Sequence, residues 1–236
     1  MSTDPIKAAP LRPGTYARGA ETVDLILKAA LEVLLEEGAS GFSLRRIAAK
    51  CGMKVGNLSY HFPRKEALIQ LLLEELLESY GRLLDRTVRE TDLTSEERLR
   101  AVIDICLVDI QSRRTTHLFT ELWALANHNA FIADRVEAFY RSVQDIIGEY
   151  VGELNPALNA EEVQIVALYI SASMEGTTPF LGHNKPWHAQ MGQIRNLSSK
   201  TLVHLAKTVT PSDIRGPEEP VQLKPRPRKG ESARRT

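Results

Sequence analysis

From residue 22 to residue 209 the apolar residues recur three and four apart, and strand-like alternation is nearly absent. A chain patterned in this way buries its apolar stripes by packing helix on helix, so the expected fold is all-α. With 236 residues and 43% hydrophobic content it has material for one large or two modest cores. The first helix is expected over 22–37, where Leu25, Ile26, Ala29, Ala30, Val33 and Leu34 share a stripe. It stops at Gly38, a residue suited to the position just past a helix end. Pro63 marks a break, and a long helix then starts near Lys65 and runs through Leu68, Leu72, Leu76, Tyr80 and Leu84. Further helices are expected over 95–113, 116–127, 131–152, 160–175 and 191–209, with a Gly- and Pro-containing loop before the last one.

Between Gly38 and Lys65 the charge distribution is unusual. This stretch holds six Lys or Arg and no Asp or Glu, in a chain with 30 of each sign. Residues 1–65 hold ten basic against six acidic side chains, residues 66–210 thirteen against twenty, and residues 211–236 seven against four. The balanced total is thus a basic head on an acidic body, an arrangement that attracts a polyanion to the head and repels it from the body. The same stretch reads as two short helices about a tight turn. Ser43 caps a helix through Ile47 and Ala48, Gly52 permits the positive φ of the turn, and a second helix follows from about Lys54 to Tyr60. That is the layout of a helix-turn-helix DNA reader.

Residues 26–69, ILKAALEVLLEEGASGFSLRRIAAKCGMKVGNLSYHFPRKEALI, resemble the DNA-binding head of the tetracycline-repressor (TetR) family of bacterial transcription regulators. The marks are Ala29-Ala30, Gly38, Leu44, Ile47-Ala48, Gly52, Gly56, the run Tyr60-His61-Phe62, and Lys65-Glu66. Two departures stand out: Met53-Lys54 where the family usually has Val-Ser, and Ser59 where an aromatic often precedes Tyr60. Losing the Ser cap weakens the helix start, while Lys54 adds a cation near the phosphates. The resemblance implies a three-helix head, residues 21–65, behind a flexible arm, residues 1–20. It also implies a helical ligand-binding and dimerisation body over 66–210. From Pro211 the chain has too little apolar surface to offset the cost of ordering, so 211–236 is expected to be a disordered tail.

Roles in the head follow from residue chemistry. Lys54, Asn57 and Ser59 are candidates for base edges, with Gly56 allowing close approach to the groove floor and the neighbouring helix. Ser43, Arg45, Tyr60, His61 and Lys65 are candidate phosphate anchors, although Tyr60 and His61 would equally serve to pack the junction into the next helix. In the body, the resemblance implies a homodimer. Ala167, Ser171 and Ala172, small residues on a helix that is apolar over much of its circumference, are the expected contact face. His117, Glu121, Trp123, Asn127, Tyr140, Tyr169, Ser173 and Glu175 are polar or amphipathic groups set among apolar ones, the ingredients of a small-molecule pocket. Trp123, Tyr140 and Tyr169 with a carboxylate would suit a cationic or aromatic ligand.

Other function classes find little support. His117 and Glu121 are four apart, and His183 and His188 flank a Pro-containing loop, but neither pair has the further ligands of a zinc site. No nucleophile elbow, phosphate-cradling glycine loop or catalytic Cys/His spacing is present, so neither an enzyme nor a cofactor is expected. Cys51 and Cys106, far apart among hydrophobic neighbours, are expected to be reduced and buried. The first twenty residues lack a signal-like apolar run and no segment reaches eighteen apolar residues, from which a cytoplasmic location is expected. Two readings remain. One is a dimeric repressor released from a palindromic operator by a small molecule; the other is a DNA-binding protein of low sequence specificity that recruits a protein partner through its body.

Overall fold

The computed structural model describes residues 17–89 and 92–216, and every regular element among them is helical. Helix α1 (Ala17–Gly41) is broken at Gly38, whose φ of 69° and ψ of −174° lie where essentially only glycine sits without strain. Ser43, in extended backbone, accepts a hydrogen bond from the Arg46 N–H at 3.4 Å and starts α2 (Leu44–Lys50). Gly52, at φ 67°, turns the chain toward α3 (Val55–His61). Helix α4 (Lys65–Leu84) leads out of the head and ends in one π turn, Asp85–Arg89.

The body follows as α5 (Ser95–Ile110), α6 (Arg113–Ala126), α7 (Ala130–Leu154), α8 (Ala160–Glu175), the single turn α9 (Thr178–Leu181), a 3-10 turn at His188–Gln190, α10 (Met191–Thr208) and α11 (Pro211–Arg215). The helix expected over 95–113 ends early. Ser112, in extended backbone, accepts the Thr115 N–H at 3.0 Å and so caps a new helix three residues before the expected start at Thr116. The tail also begins later than expected. Thr210 and Asp213 form a capping box around Pro211, and Arg215 reaches Glu162 of α8 at 3.2 Å, so residues 211–215 are a helix tied to the body. The rest of the tail, from residue 217, and arm residues 1–16 lie outside the described residues.

Two apolar clusters hold these helices. The first joins Ile26, Leu34, Ile47, Leu58 and Leu68 of the head to Leu118, Phe119 and Leu122 of α6 and to Ile132 and Phe139 of α7. The second joins Leu99 and Ile103 of α5, Ile147 and Tyr150 of α7, Ile170 of α8 and Val203 of α10. Burying one such aliphatic side chain contributes about 1.5–3 kcal/mol, so the first cluster ties α6 and α7 to the head as part of one core. Helices α7 and α8 approach closely at Gly148, where a Cβ would stand 3.3 Å from the Gln164 side chain and 3.8 Å from the Ala167 methyl.

That packing corrects the expected dimer face. Ala167 is 0% and Ser171 3% exposed, both turned into their own protomer against α7 and α5, and only Ala172 of the three faces outward. Small residues on α8 serve the close α7 contact within one chain. The stripe that α8 leaves uncovered is Ile165, Leu168, Tyr169 and Ala172, with Leu197 exposed on α10.

Candidate functional site

On the head, the acid-free segment becomes a surface. Arg45, Lys54, Gly56, Asn57, Tyr60 and Lys65 are exposed, with Tyr60 86% open, while Ser43, Ser59 and His61 are half-buried. Beneath them Leu58 and Phe62 are buried, which fixes the outward register of α3. Not every cation is available. Arg46 pairs with Glu37 at 3.4 Å, and Lys50 lies 2.7 Å from Glu36 and 3.4 Å from Glu32, all on α1. Arg45, Lys54, Arg64 and Lys65 have no ion pair among the described residues, and Arg64, next to the expected anchor Lys65, is a candidate anchor that the motif reading passed over.

Local geometry refines two roles. Lys54 stands at the N-cap of α3 in extended backbone and makes no side-chain cap, so its ammonium is left to solvent or ligand. A Cβ on Gly56 would meet nothing within 4 Å, so helix packing among the described residues does not require a glycine there. Tyr60 and His61 meet edge to face at 5.5 Å.

In the body, three expected residues converge from three helices. The Trp123 Nε1–H of α6 donates to the Tyr140 hydroxyl of α7 at 2.8 Å, and that hydroxyl lies 3.4 Å from Glu175 Oε2 of α8. Phe119 and Phe139 complete the ring cluster, 5.1 Å apart, with Phe119 6.1 Å from Tyr140. Burial pushes the Glu175 carboxyl up from 4.5 to about 7 and the charge of Asp109 adds to the push, against the hydrogen bond from Tyr140. Burial likewise raises the Tyr140 hydroxyl. Beside Glu175 a cavity of ≈ 20 Å³ is lined by Cys106, Asp109, Phe119, Phe139 and Ser171, space for roughly one water. Both cysteines are free, and burial pushes the Cys106 thiol to about 12.

The remaining expected pocket residues lie elsewhere. Asn127 is the exposed C-cap residue of α6, Tyr169 is 58% exposed on the outer stripe of α8, and Ser173 bonds the Tyr169 carbonyl. His117 packs at 6.3 Å from His183, which is 6.3 Å from His188, and among the described residues no group of three such donors is set to hold a metal ion. Glu121 turns toward the head, where its Oε2 accepts the Ala39 N–H at 2.6 Å. Sequence spacing carries no sign of that contact, since its partner is 82 residues away. A second cavity, ≈ 90 Å³, lies between Leu27, Leu31 and Leu34 of α1, Ile69 and Leu72 of α4, and Leu118 of α6.

Comparison with known proteins bears on this geometry. Residues 26–72 match the family described as bacterial regulatory proteins, tetR family, and residues 95–202 match the BetI-type transcriptional repressor C-terminal family; together they span about two thirds of the chain. An uncharacterised HTH-type transcriptional regulator in the dhlA 5′ region of Xanthobacter autotrophicus is 27% identical over 149 residues, 61% of this chain and 70% of that one. Among solved structures, a putative transcriptional regulator from Saccharomonospora viridis in complex with choline aligns at TM-score 0.59 and 20% identity, covering 79% of this chain and 95% of that one. The regulator FadR from Bacillus subtilis in complex with stearoyl-CoA aligns at TM-score 0.59 and 18% identity, covering 78% and 97%. Among the described residues no helix is long and apolar enough to cross a membrane.

Proposed function

This chain belongs to the TetR family of bacterial regulatory proteins and is a DNA-binding transcription regulator, and from that premise we propose that it acts as a dimeric repressor released from a palindromic operator by a small organic cation. In this reading α3 enters the major groove with Lys54, Asn57 and Ser59 toward base edges, while Ser43, Arg45, Tyr60, His61 and Lys65 hold phosphates. The exposed stripe Ile165, Leu168, Tyr169 and Ala172 pairs with its copy, setting two recognition helices about 34 Å apart, one DNA turn.

The observation that carries the choice of ligand is the Glu175 carboxyl buried among Phe119, Trp123, Phe139 and Tyr140. Ring faces and a carboxylate together attract a desolvated cation. Choline bound to the S. viridis regulator favours the same class, whereas the stearoyl-CoA held by the B. subtilis protein is far larger than anything this ring cluster surrounds. Because the cavity holds only about one water, a cation enters by parting α6, α7 and α8, and that displacement shifts the population away from the DNA-bound spacing.

Calorimetry with choline and with its neutral isostere 3,3-dimethylbutanol tests the ligand class. Choline is expected to bind the wild-type protein more tightly than the alcohol, and Glu175→Gln to erase the difference; equal binding of the two by wild type removes the cation reading. Footprinting on DNA upstream of the protein's own gene tests the repressor. One protected palindrome, lost on adding choline, is expected, and equal affinity for every duplex points to the low-specificity, partner-recruiting alternative.

A further inference from the structure

Glu121 does not belong to the ring cluster, yet it sits on the same helix two residues from Trp123. Two residues on a helix turn about 200°, so α6 presents Trp123 to Tyr140 on one side and Glu121 to the head on the other. The head contact is specific. Glu121 Oε2 accepts the Ala39 N–H at 2.6 Å, and a Cβ on the preceding Gly38 would stand 3.1 Å from both carboxylate oxygens. Gly38 holds a backbone conformation that essentially only glycine adopts freely, so chain geometry and carboxylate fit each other. Ala39 in turn accepts the Phe42 N–H at 3.3 Å, Phe42 is 3% exposed, and the next residue, Ser43, caps α2. A continuous path of contacts thus runs from α6 to the start of the helix-turn-helix.

Beside this contact the joint encloses unfilled space. The ≈ 90 Å³ cavity between α1, α4 and α6 leaves apolar walls without partners on one side, so sliding α6 against α1 forfeits little packing there. The directional hydrogen bond from the Ala39 N–H to Glu121 then decides which way the head follows.

We propose that Glu121 is the positioning residue that couples the Trp123–Tyr140–Glu175 cluster to the helix-turn-helix, by holding the Ala39 amide to α6. The proposal rests on the effector-pocket reading given above and adds the residue that transmits its state. A merely structural cap would stabilise the head equally whatever the pocket does; a coupling residue makes the head sensitive to the pocket.

Hydrogen exchange on the full chain, without ligand or operator, separates the two. Trp123→Phe removes the indole donor to Tyr140 and is expected to raise exchange of the α2 amides about five- to tenfold, the size of an ordinary coupling. In a Glu121→Met background, which keeps side-chain length but has no oxygen, the same Trp123→Phe change is expected to move those amides less than about twofold. Glu121→Gln, which keeps an acceptor, is expected to restore the response. If Glu121→Met does not fold, Glu121→Ala, which removes the same acceptor without adding bulk, takes its place. An unchanged Trp123→Phe effect in the Glu121→Met background overturns the proposal, as does the absence of any effect in wild type; choline calorimetry, scored independently, tells whether the pocket reading falls with it.

Discussion

Replacing Glu175 by Gln removes one buried proton site and leaves shape and acceptor oxygen in place. The Glu175 carboxyl is lifted from 4.5 to about 7 chiefly by burial, so the folded protein keeps a proton that the unfolded chain gives up over that window. Below pH 4.5 both states are protonated and the group contributes nothing. Between 4.5 and 7 the folded state binds more protons, so stability falls as pH rises, by about 1.4 kcal/mol per pH unit. Above pH 7 the full cost, about 3 kcal/mol, is present. Glu175→Gln is therefore expected to match wild type at pH 4.5 and to be the more stable protein at pH 8 by up to about 3 kcal/mol. Urea unfolding at pH 4.5, 6, 7 and 8 reads this as a midpoint difference at constant m-value, and every other titrating group cancels between the two proteins. A stability difference that does not change with pH refutes the argument and returns Glu175 to an ordinary, solvated carboxylate.

Two further expectations concern the outer faces. Asn57→Ala should cost about 1–3 kcal/mol on the preferred operator and little on random duplex, whereas Lys65→Ala should weaken both and reduce the salt slope by about one per subunit; equal losses for Asn57→Ala on all sequences would strike it from the readers. Leu168→Glu should yield folded monomers in sedimentation, because it places a charge on the open stripe of α8. Ala167→Arg should instead unfold the protomer, since an unpaired charge there is buried in its own core at a cost of several kcal/mol. Folded dimers of both variants would move the interface off α8.

The head was readable because its signals are local. Ser43 caps within three residues, Gly52 turns within one, and buried Leu58 sets the face of α3 by helical spacing alone. The body was readable in its helices but not in its faces. On α8 both stripes are apolar enough to be buried, and tertiary packing of Val166, Ile170 and Met174, with α7 approaching at Gly148, turns Ala167 and Ser171 inward. The structure brings Trp123, Tyr140 and Glu175 together, yet the composition argument that grouped them also included Tyr169, Asn127 and Glu121, which differ in where their helices point. The Thr210-Pro211-Ser212-Asp213 start of α11 was legible as a capping box with proline at its first position; the prolines beyond it drew the reading toward disorder.

If the volume beside Glu175 is the effector site proposed above, its size bears on the range of concentrations over which the sensor works. With room for roughly one water in the structure, such a site must open to admit a larger ligand, which sees only the fraction of molecules that have opened. If about one molecule in a hundred is open, the half-saturating concentration rises about a hundredfold above the affinity of the open form. The operating point is then set by how hard the helices are to part as much as by what the ligand touches. Changes in the packing of α6 against α7, remote from any contact with the ligand, would retune the threshold while leaving the preference among ligands intact.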